Sequence, residues 1–151
     1  MRNIDKFRGC LIGGAAGDAL GYAVEFKKAD QIFAEYGPDG IKKYDLHRGK
    51  AIVSDDTQMT LFTDAGLLFG TTRGMMRGMS GGYPVYISRS YLDWYLTQTK
   101  SYPLTDRAHY PTSWLVNVPE LFHRRAPGNA CLSACEKGAD GTIEHPINDR
   151  R

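Results

Sequence analysis

The chain has 151 residues, of which 24% are charged and 42% are hydrophobic, and its formal net charge is +2. This composition is ordinary for a folded globular protein that is long enough to bury a core of its own. The small net charge and the absence of long lysine or arginine runs argue against nucleic acid or an anionic membrane as a partner. No apolar stretch reaches the roughly eighteen residues that are needed to cross a bilayer.

The cysteines and the N-terminal segment indicate the cellular compartment of the protein. There are three cysteines, an odd number, so they cannot all pair with one another. Cys131 and Cys135 lie four residues apart on a predicted helix, where a disulfide would constrain little. The N-terminal segment has no signal-peptide pattern. We therefore expect a cytoplasmic protein with reduced thiols.

The first predicted helix carries an unusual stripe of glycines. Gly9, Gly13, Gly17 and Gly21 recur at every fourth position, along one side of a helix that begins with Asp5 as its N-cap. Each glycine inside a helix costs about 0.5–1 kcal/mol relative to alanine. The stripe therefore predicts a buried helix whose backbone is closely approached by another helix or by a ligand. A phosphate-binding loop is the alternative, but no Gly-Lys-Ser/Thr follows these glycines.

The next segment contains a carboxylate among apolar residues. Glu25 lies between two apolar side chains, and it is either an exposed residue in an alternating pattern or an acid with a function. A short helix is predicted over 29–36, because the turn Gly-Pro-Asp-Gly at 37–40 ends it. Residues 42–50 are polar and are predicted to form a loop.

The tetrad Ser54-Asp55-Asp56-Thr57 is predicted to begin the third helix. Apolar residues follow it at helical spacing, from Met59 to Phe69. Ser54 would be the N-cap, and the two aspartates would occupy the first turn, where the helix dipole favours negative charge. The tetrad also offers at least four oxygen donors, the ligands that Mg²⁺, Ca²⁺ and Mn²⁺ prefer. An ordinary helix start and a metal site are both open at this point.

The rest of the chain predicts further helices and no strand. The third helix is expected to end near Gly70 and to be followed by a long flexible connection, and all four histidines are interpreted as exposed side chains. The fold class is therefore all-α. The predicted segments are a flexible connection over 70–82, a helix over 85–99, a loop over 100–112, a short helix starting with Pro119, and a helix over 130–137 capped by Asn129.

Several segments together resemble one enzyme family. Gly-Asp-Ala-Leu-Gly at 17–21, Val-Glu-Phe at 24–26 and Ser-Asp-Asp-Thr-Gln-Met at 54–59 resemble the ADP-ribosylglycohydrolase family, of the dinitrogenase reductase activating glycohydrolase type. Residues 125–129 and 141–148 look like the middle region of that family. The resemblance therefore covers most of the chain.

The resemblance implies a compact orthogonal bundle of helices with a two-metal site. Mg²⁺ is the expected cofactor, and Mn²⁺ is possible in some members. Ser54, Asp55 and Asp56 match the family's metal ligands, while Asp55, Asp56 and Glu25 match its catalytic residues. The implied reaction is hydrolysis of an N-glycosidic ADP-ribosyl bond, arginine-linked in the expected case. The implied substrate is an ADP-ribosylated protein or a small ADP-ribosyl compound.

The chain departs from the family in one respect, and two alternative functions stay open. Family members are considerably longer, and a later Asp-x-Asp-Ser/Thr segment supplies their remaining metal ligands. We therefore expect residues 1–151 to form the N-terminal part of a single domain that holds half of the dinuclear site, with a second chain as one source of the remainder. The alternatives are a non-catalytic member that binds ADP-ribose or serves structurally, as crystallins do, and a metal-dependent phosphohydrolase.

Overall fold

The computed structural model describes residues 3–105 and 111–148, and within them the all-α class is confirmed. The backbone is divided into two compact units, Met1–Thr57 and Gln58–Arg151. No helix in the described ranges is both long enough and apolar enough to cross a membrane. The elements are α1 (Ile4–Tyr22), α2 (Ala29–Tyr36), β1 (Leu46–His47), β2 (Lys50–Ala51), α3 (Asp55–Arg77), α4 (Tyr83–Thr99), two 3₁₀ helices (Trp114–Asn117 and Pro119–Phe122) and α5 (Asn129–Glu136).

Helix α1 forms as predicted, but it is not buried. Its N-cap is Asn3, whose side chain accepts a hydrogen bond from the backbone N–H of Asp5, so the predicted cap was wrong. Ala19 is its one buried residue. In the described part of the chain, no atom outside the helix backbone and the chain neighbours lies within 4 Å of a Cβ built on any of the four striped glycines. The expected close approach to this stripe is therefore not seen.

Helix α2 has the predicted bounds, and a small hairpin replaces the loop predicted after it. Gly37, with φ of 87°, ends the helix in a conformation that a side chain would strain. In the hairpin, Leu46 is paired with Ala51 in an antiparallel ladder. Arg48 and Gly49 connect the strands with φ of 52° and 77°, as a two-residue turn with positive φ at both positions requires. Strands of two residues are too short to show alternation in the sequence.

Helix α3 is longer than predicted, because glycines inside it allow α4 to approach closely. The flexible connection predicted over 70–82 is wrong for its first part, because residues up to Arg77 are helical, and a shorter non-helical connection remains over 78–82. A Cβ on Gly66 would lie 2.8 Å from the backbone oxygen of Tyr86, and one on Gly70 would lie 2.7 Å from a ring carbon of the same residue. Tertiary packing thus overrides the low helix propensity of glycine.

Glycines of α3 lie against α4, whereas those of α1 face open space, and this difference predicts opposite effects of alanine on stability. We expect Gly66→Ala to lower the free energy of unfolding by about 1–3 kcal/mol, because its methyl group would overlap the backbone of α4. The matched change Gly13→Ala in α1 meets open space and is expected to add about 0.5–1 kcal/mol. Urea unfolding of both variants checks the prediction, and equal effects at the two positions would contradict it.

The second unit contains an apolar core around α3, α4 and the 3₁₀ helices. Phe62 and Trp94 are fully buried. Gln58 joins the elements around them: its side-chain oxygen accepts hydrogen bonds from Trp94 and from Gln98, and its amide donates to the backbone oxygen of His123. Leu68, which the periodicity placed on the apolar face of α3, is exposed. The buried apolar residues of this core are Phe62, Ala65, Trp94, Leu115, Val116, Leu121 and Cys135.

The smaller elements agree with the sequence except at their ends. Helix α4 starts two residues before its predicted start. Pro119 begins a 3₁₀ helix, and Gly128 rather than Asn129 occupies the N-cap of α5. The cysteines are free thiols, of which Cys10 is exposed. The histidines that the structure describes are exposed, whereas His109 lies outside the described residues.

Candidate functional site

The N-terminus of α3 presents the tetrad as the sequence predicted. The hydroxyl oxygen of Ser54 accepts a hydrogen bond from the backbone N–H of Asp56 at 3.1 Å, which is the geometry of an N-cap. Ser54 and Asp55 are buried, with 3% and 9% of their surface exposed, while Asp56 is exposed. The first turn of α3 therefore holds one buried carboxylate beside one that solvent reaches.

A second cap on the same helix end is a carboxylate from α1. Oδ2 of Asp18 accepts hydrogen bonds from the backbone N–H of Ser54 at 2.8 Å and from that of Thr57 at 3.3 Å. The hydroxyl of Thr57 also donates to this oxygen. Several donors that converge on one carboxylate oxygen at a helix N-terminus hold that side chain in place. Asp18 therefore fixes the start of α3 from a position 36 residues away in the chain.

No role for Asp18 was predicted from the sequence. The signal that could have found it is an acid in the middle of the glycine-rich face of α1, since a charged residue among glycines and alanines needs a partner. The segment Gly-Asp-Ala-Leu-Gly carried the resemblance, but its partner lies far along the chain. No pattern of local spacing shows such a contact.

Glu25 shares an electrostatic environment with these aspartates. It lies in the turn after α1 and is exposed. Desolvation raises the pKa of its carboxyl above the ordinary value, and the charges of Asp55, Asp56 and Asp18, in that order, raise this pKa further. We call these four residues, Asp18, Glu25, Asp55 and Asp56, the acidic cluster. Three of the four predicted site residues belong to it, and the fourth, Ser54, is hydrogen-bonded to Asp18.

The raised pKa of Glu25 predicts how stability depends on pH. Between its unfolded and folded pKa values the folded chain binds more protons, so stability falls as the pH rises through this interval. Glu25→Gln should therefore be as stable as the parent or more stable at neutral pH, and this advantage should vanish well below pH 4.5. Urea unfolding at both pH values checks this.

Glu35 provides a control, because its pKa is shifted downwards whereas that of Glu25 is shifted upwards. Its hydrogen bond to Lys27, with the two atoms 2.5 Å apart, lowers the pKa of its carboxyl. Its contribution to stability is present at neutral pH and is lost as the pH falls through its folded pKa. Glu35→Gln should thus lose stability at neutral pH and match the parent in acid. Two variants with the same pH dependence would contradict the assignment.

The donors of the cluster suit a divalent cation, although they do not enclose one. Carboxylates and hydroxyls are the oxygen donors of Mg²⁺ and Mn²⁺ sites. Within residues 3–105 and 111–148, however, no group of three His, Cys, Asp or Glu side chains is arranged so that it could hold a metal ion. Hydroxyl oxygens such as that of Ser54, water molecules and further donors would have to complete the coordination.

Comparison with known protein families decides the family. The family model for ADP-ribosylglycohydrolase matches residues 1–150, nearly the whole chain. The chain belongs to the ADP-ribosylglycohydrolase family. Searches of curated proteins and of solved structures gave no significant match. The family gives the chain a glycohydrolase-type function in general terms, and the resemblance seen in the Gly-Asp-Ala-Leu-Gly and Ser-Asp-Asp-Thr segments is confirmed. The roles of Ser54, Asp55, Asp56 and Glu25 within the family stay predictions.

Proposed function

We propose that the acidic cluster is half of a dinuclear Mg²⁺ site in a hydrolase that cleaves ADP-ribosyl bonds to arginine. The observation that carries the proposal is the double capping of α3 by Ser54 and Asp18, which holds Asp55 and Asp56 side by side at one helix end. A helix start leaves four backbone N–H groups without partners in the helix, and here one of the acceptors comes from another helix rather than from a neighbouring residue. Two caps on one helix end, beside a third nearby carboxylate, indicate that the position of these oxygens matters.

Each residue at the start of α3 would have its own role in the reaction. Ser54, Asp55 and Asp56 would hold the cations, which are Mg²⁺ or, alternatively, Mn²⁺. When bound, the ions supply orientation of the ribose hydroxyls and a lowered pKa for the attacking water. Asp56 or Asp55 would hold this water and accept its proton. Asp18 would keep the first turn of α3 in place.

Glu25 would act on the substrate rather than on the metal. It is exposed, and it lies after α1 rather than on α3. Because its pKa is raised, it retains a proton at a higher pH than an ordinary glutamate does. Glu25 would position the ribose or give a proton to the leaving guanidino nitrogen. Substrates in keeping with this chemistry are an ADP-ribosylated protein and small ADP-ribosyl-guanidines.

Product analysis tests the reaction class. With ADP-ribosylarginine as substrate and Mg²⁺ present, the chain together with a source of the remaining metal ligands should release free ADP-ribose and arginine, and a chelator should stop this release. Release of phosphate instead would support a metal-dependent phosphohydrolase and overturn the proposal. For residues 1–151 alone we expect weak Mg²⁺ binding and negligible turnover, because Mg²⁺ sheds water reluctantly and demands near-octahedral coordination.

A non-catalytic role in binding ADP-ribose or as a structural protein is the second candidate. It is favoured by the finding that, among the described residues, no three metal-binding side chains converge. In such a protein, replacing Asp55 and Asp56 by alanine would leave function unchanged and would only shift stability. In the proposed hydrolase the same change removes activity. Parallel activity and unfolding assays separate the two.

A further inference from the structure

A cavity in the first unit lies between the last turn of α1 and the hairpin. Its volume is about 290 Å³, and the proposed hydrolysis assigns it no role. Since a water molecule occupies about 30 Å³ of the liquid, the cavity has room for a small organic group. Three of its lining side chains are polar or aromatic with a polar atom: Tyr22, Asp45 and His47. Much of the remainder is small or aliphatic, as at Ala19 and Ile52.

The lining favours a cation. Among the described residues, no lysine or arginine lines the cavity, and Asp45 is the one carboxylate that does. The hydroxyl of Tyr36 donates to Oδ2 of Asp45 at 3.4 Å, which orients the carboxylate and leaves it further acceptor capacity. An aromatic ring beside a carboxylate attracts cations through both the ring quadrupole and the charge. An anion such as phosphate would be repelled.

The segments that line the cavity are continuous in sequence with those that carry the acidic cluster. Ala19, which lines the cavity, directly follows Asp18 in α1, and Ile52 lies two residues before Ser54. The hydrogen bond from the N–H of Ser54 to Asp18, 2.8 Å long, joins these two segments. This continuity is the basis on which the cavity is considered as a space for a group attached to a ribose at the acidic cluster.

We propose that this cavity binds the guanidinium group of the arginine leaving group, with Asp45 as its charge partner and Tyr22 as its stacking face. The proposal rests on the proposed function, which takes arginine as the leaving group. A guanidinium suits these walls better than an ammonium does. It is planar, stacks on aromatic rings, can donate two parallel hydrogen bonds to one carboxylate, and is more weakly hydrated.

A titration with two ligands of the same shape tests this directly. The chain is titrated with ethylguanidinium and with uncharged ethylurea, without Mg²⁺ and without ADP-ribose, and binding is followed by NMR. We expect ethylguanidinium to shift the signals of Tyr22, His47 and the Asp45 amide. Ethylurea should bind at least about tenfold more weakly, because it lacks the charge.

Variants separate recognition from folding. Asp45→Asn keeps an acceptor for Tyr36 and removes the charge, so it should weaken ethylguanidinium binding by about tenfold. Tyr22→Leu should weaken binding by about two- to fivefold through loss of the ring. Asp39→Asn is the matched control: it removes one exposed carboxylate, paired with Lys42, and should leave binding unchanged.

Three results would each overturn the cavity proposal: equal binding of the two ligands, binding unaffected by Asp45→Asn, or displacement of ethylguanidinium by inorganic phosphate. The titration contains neither metal ion nor nucleotide. A negative result therefore overturns the guanidinium site and leaves the hydrolase proposal standing. Failure to release ADP-ribose in the product assay would overturn the hydrolase proposal, and it would not alter the ethylguanidinium binding that the titration measures.

Discussion

Replacing Asp55 and Asp56 together by alanine is expected to abolish release of ADP-ribose by the proposed hydrolase, in which further donors complete the metal site. Substitutions of residues that merely support metal ligands cost about 10–100-fold in metal affinity or activity. Loss of two predicted ligands should therefore cost more than about a hundredfold. Release of ADP-ribose from ADP-ribosylarginine, at saturating Mg²⁺, is the measurement.

A matched carboxylate separates ligand loss from a general effect of charge. Asp30 occupies the first turn of α2, as Asp56 does in α3, and it is also exposed. Asp30→Ala removes the same charge from an equivalent helix position outside the acidic cluster, and it should keep full activity. An Asp55 and Asp56 double variant that remained as active as Asp30→Ala would refute the assigned roles.

Removing the carboxylate of Asp18 should have the largest effect on stability. Asp18→Ala leaves the N–H groups of Ser54 and Thr57 and the Thr57 hydroxyl without their acceptor. Hydrogen bonds to a charged group contribute about 1.5–3 kcal/mol each, and neighbouring ones are not additive. We expect the free energy of unfolding to fall by about 2–4 kcal/mol. Amide exchange at Ser54 and Thr57 should become faster in the same variant.

The amide variant separates the hydrogen bonds of Asp18 from its charge. Asp18→Asn keeps a side-chain oxygen that can accept from the same donors, so we expect it to lose about 1 kcal/mol, in line with the loss of a charge at a helix N-terminus. It should also bring the pKa of Glu25 closer to its ordinary value, because the Asp18 charge contributes to the shift. Equal losses for the alanine and asparagine variants would show that the hydrogen bonds contribute nothing.

The sequence predicted those features that depend on neighbouring residues. The end of α2 followed from Gly37, whose backbone conformation suits few other residues. The start of α3 followed from Ser54, because an N-cap acts on residues only two or three positions further on. The family resemblance likewise rested on short segments, and the match over residues 1–150 agrees with it.

Features that depend on distant residues could not be predicted in this way. The glycines from Gly70 onwards indicated a flexible segment, yet residues up to Arg77 are helical, and Tyr86 of α4 occupies the space that a side chain at position 70 would need. The glycine stripe on α1 indicated a buried helix face, yet among the described residues no other segment lies close to these glycines. Asp18 was missed because its partners lie 36 and 39 residues away, where helical periodicity has no bearing.

A titration with Mn²⁺, followed by NMR, tests the central claim most directly. Mn²⁺ prefers the same oxygen donors as Mg²⁺ and broadens the signals of nearby nuclei. If the acidic cluster binds divalent cations, millimolar Mn²⁺ should broaden the amides of Ser54–Thr57 and of Asp18 first. The effect should be lost in the Asp55 and Asp56 double variant and retained in Asp30→Ala. Broadening centred elsewhere, or identical broadening in the double variant, would contradict the account.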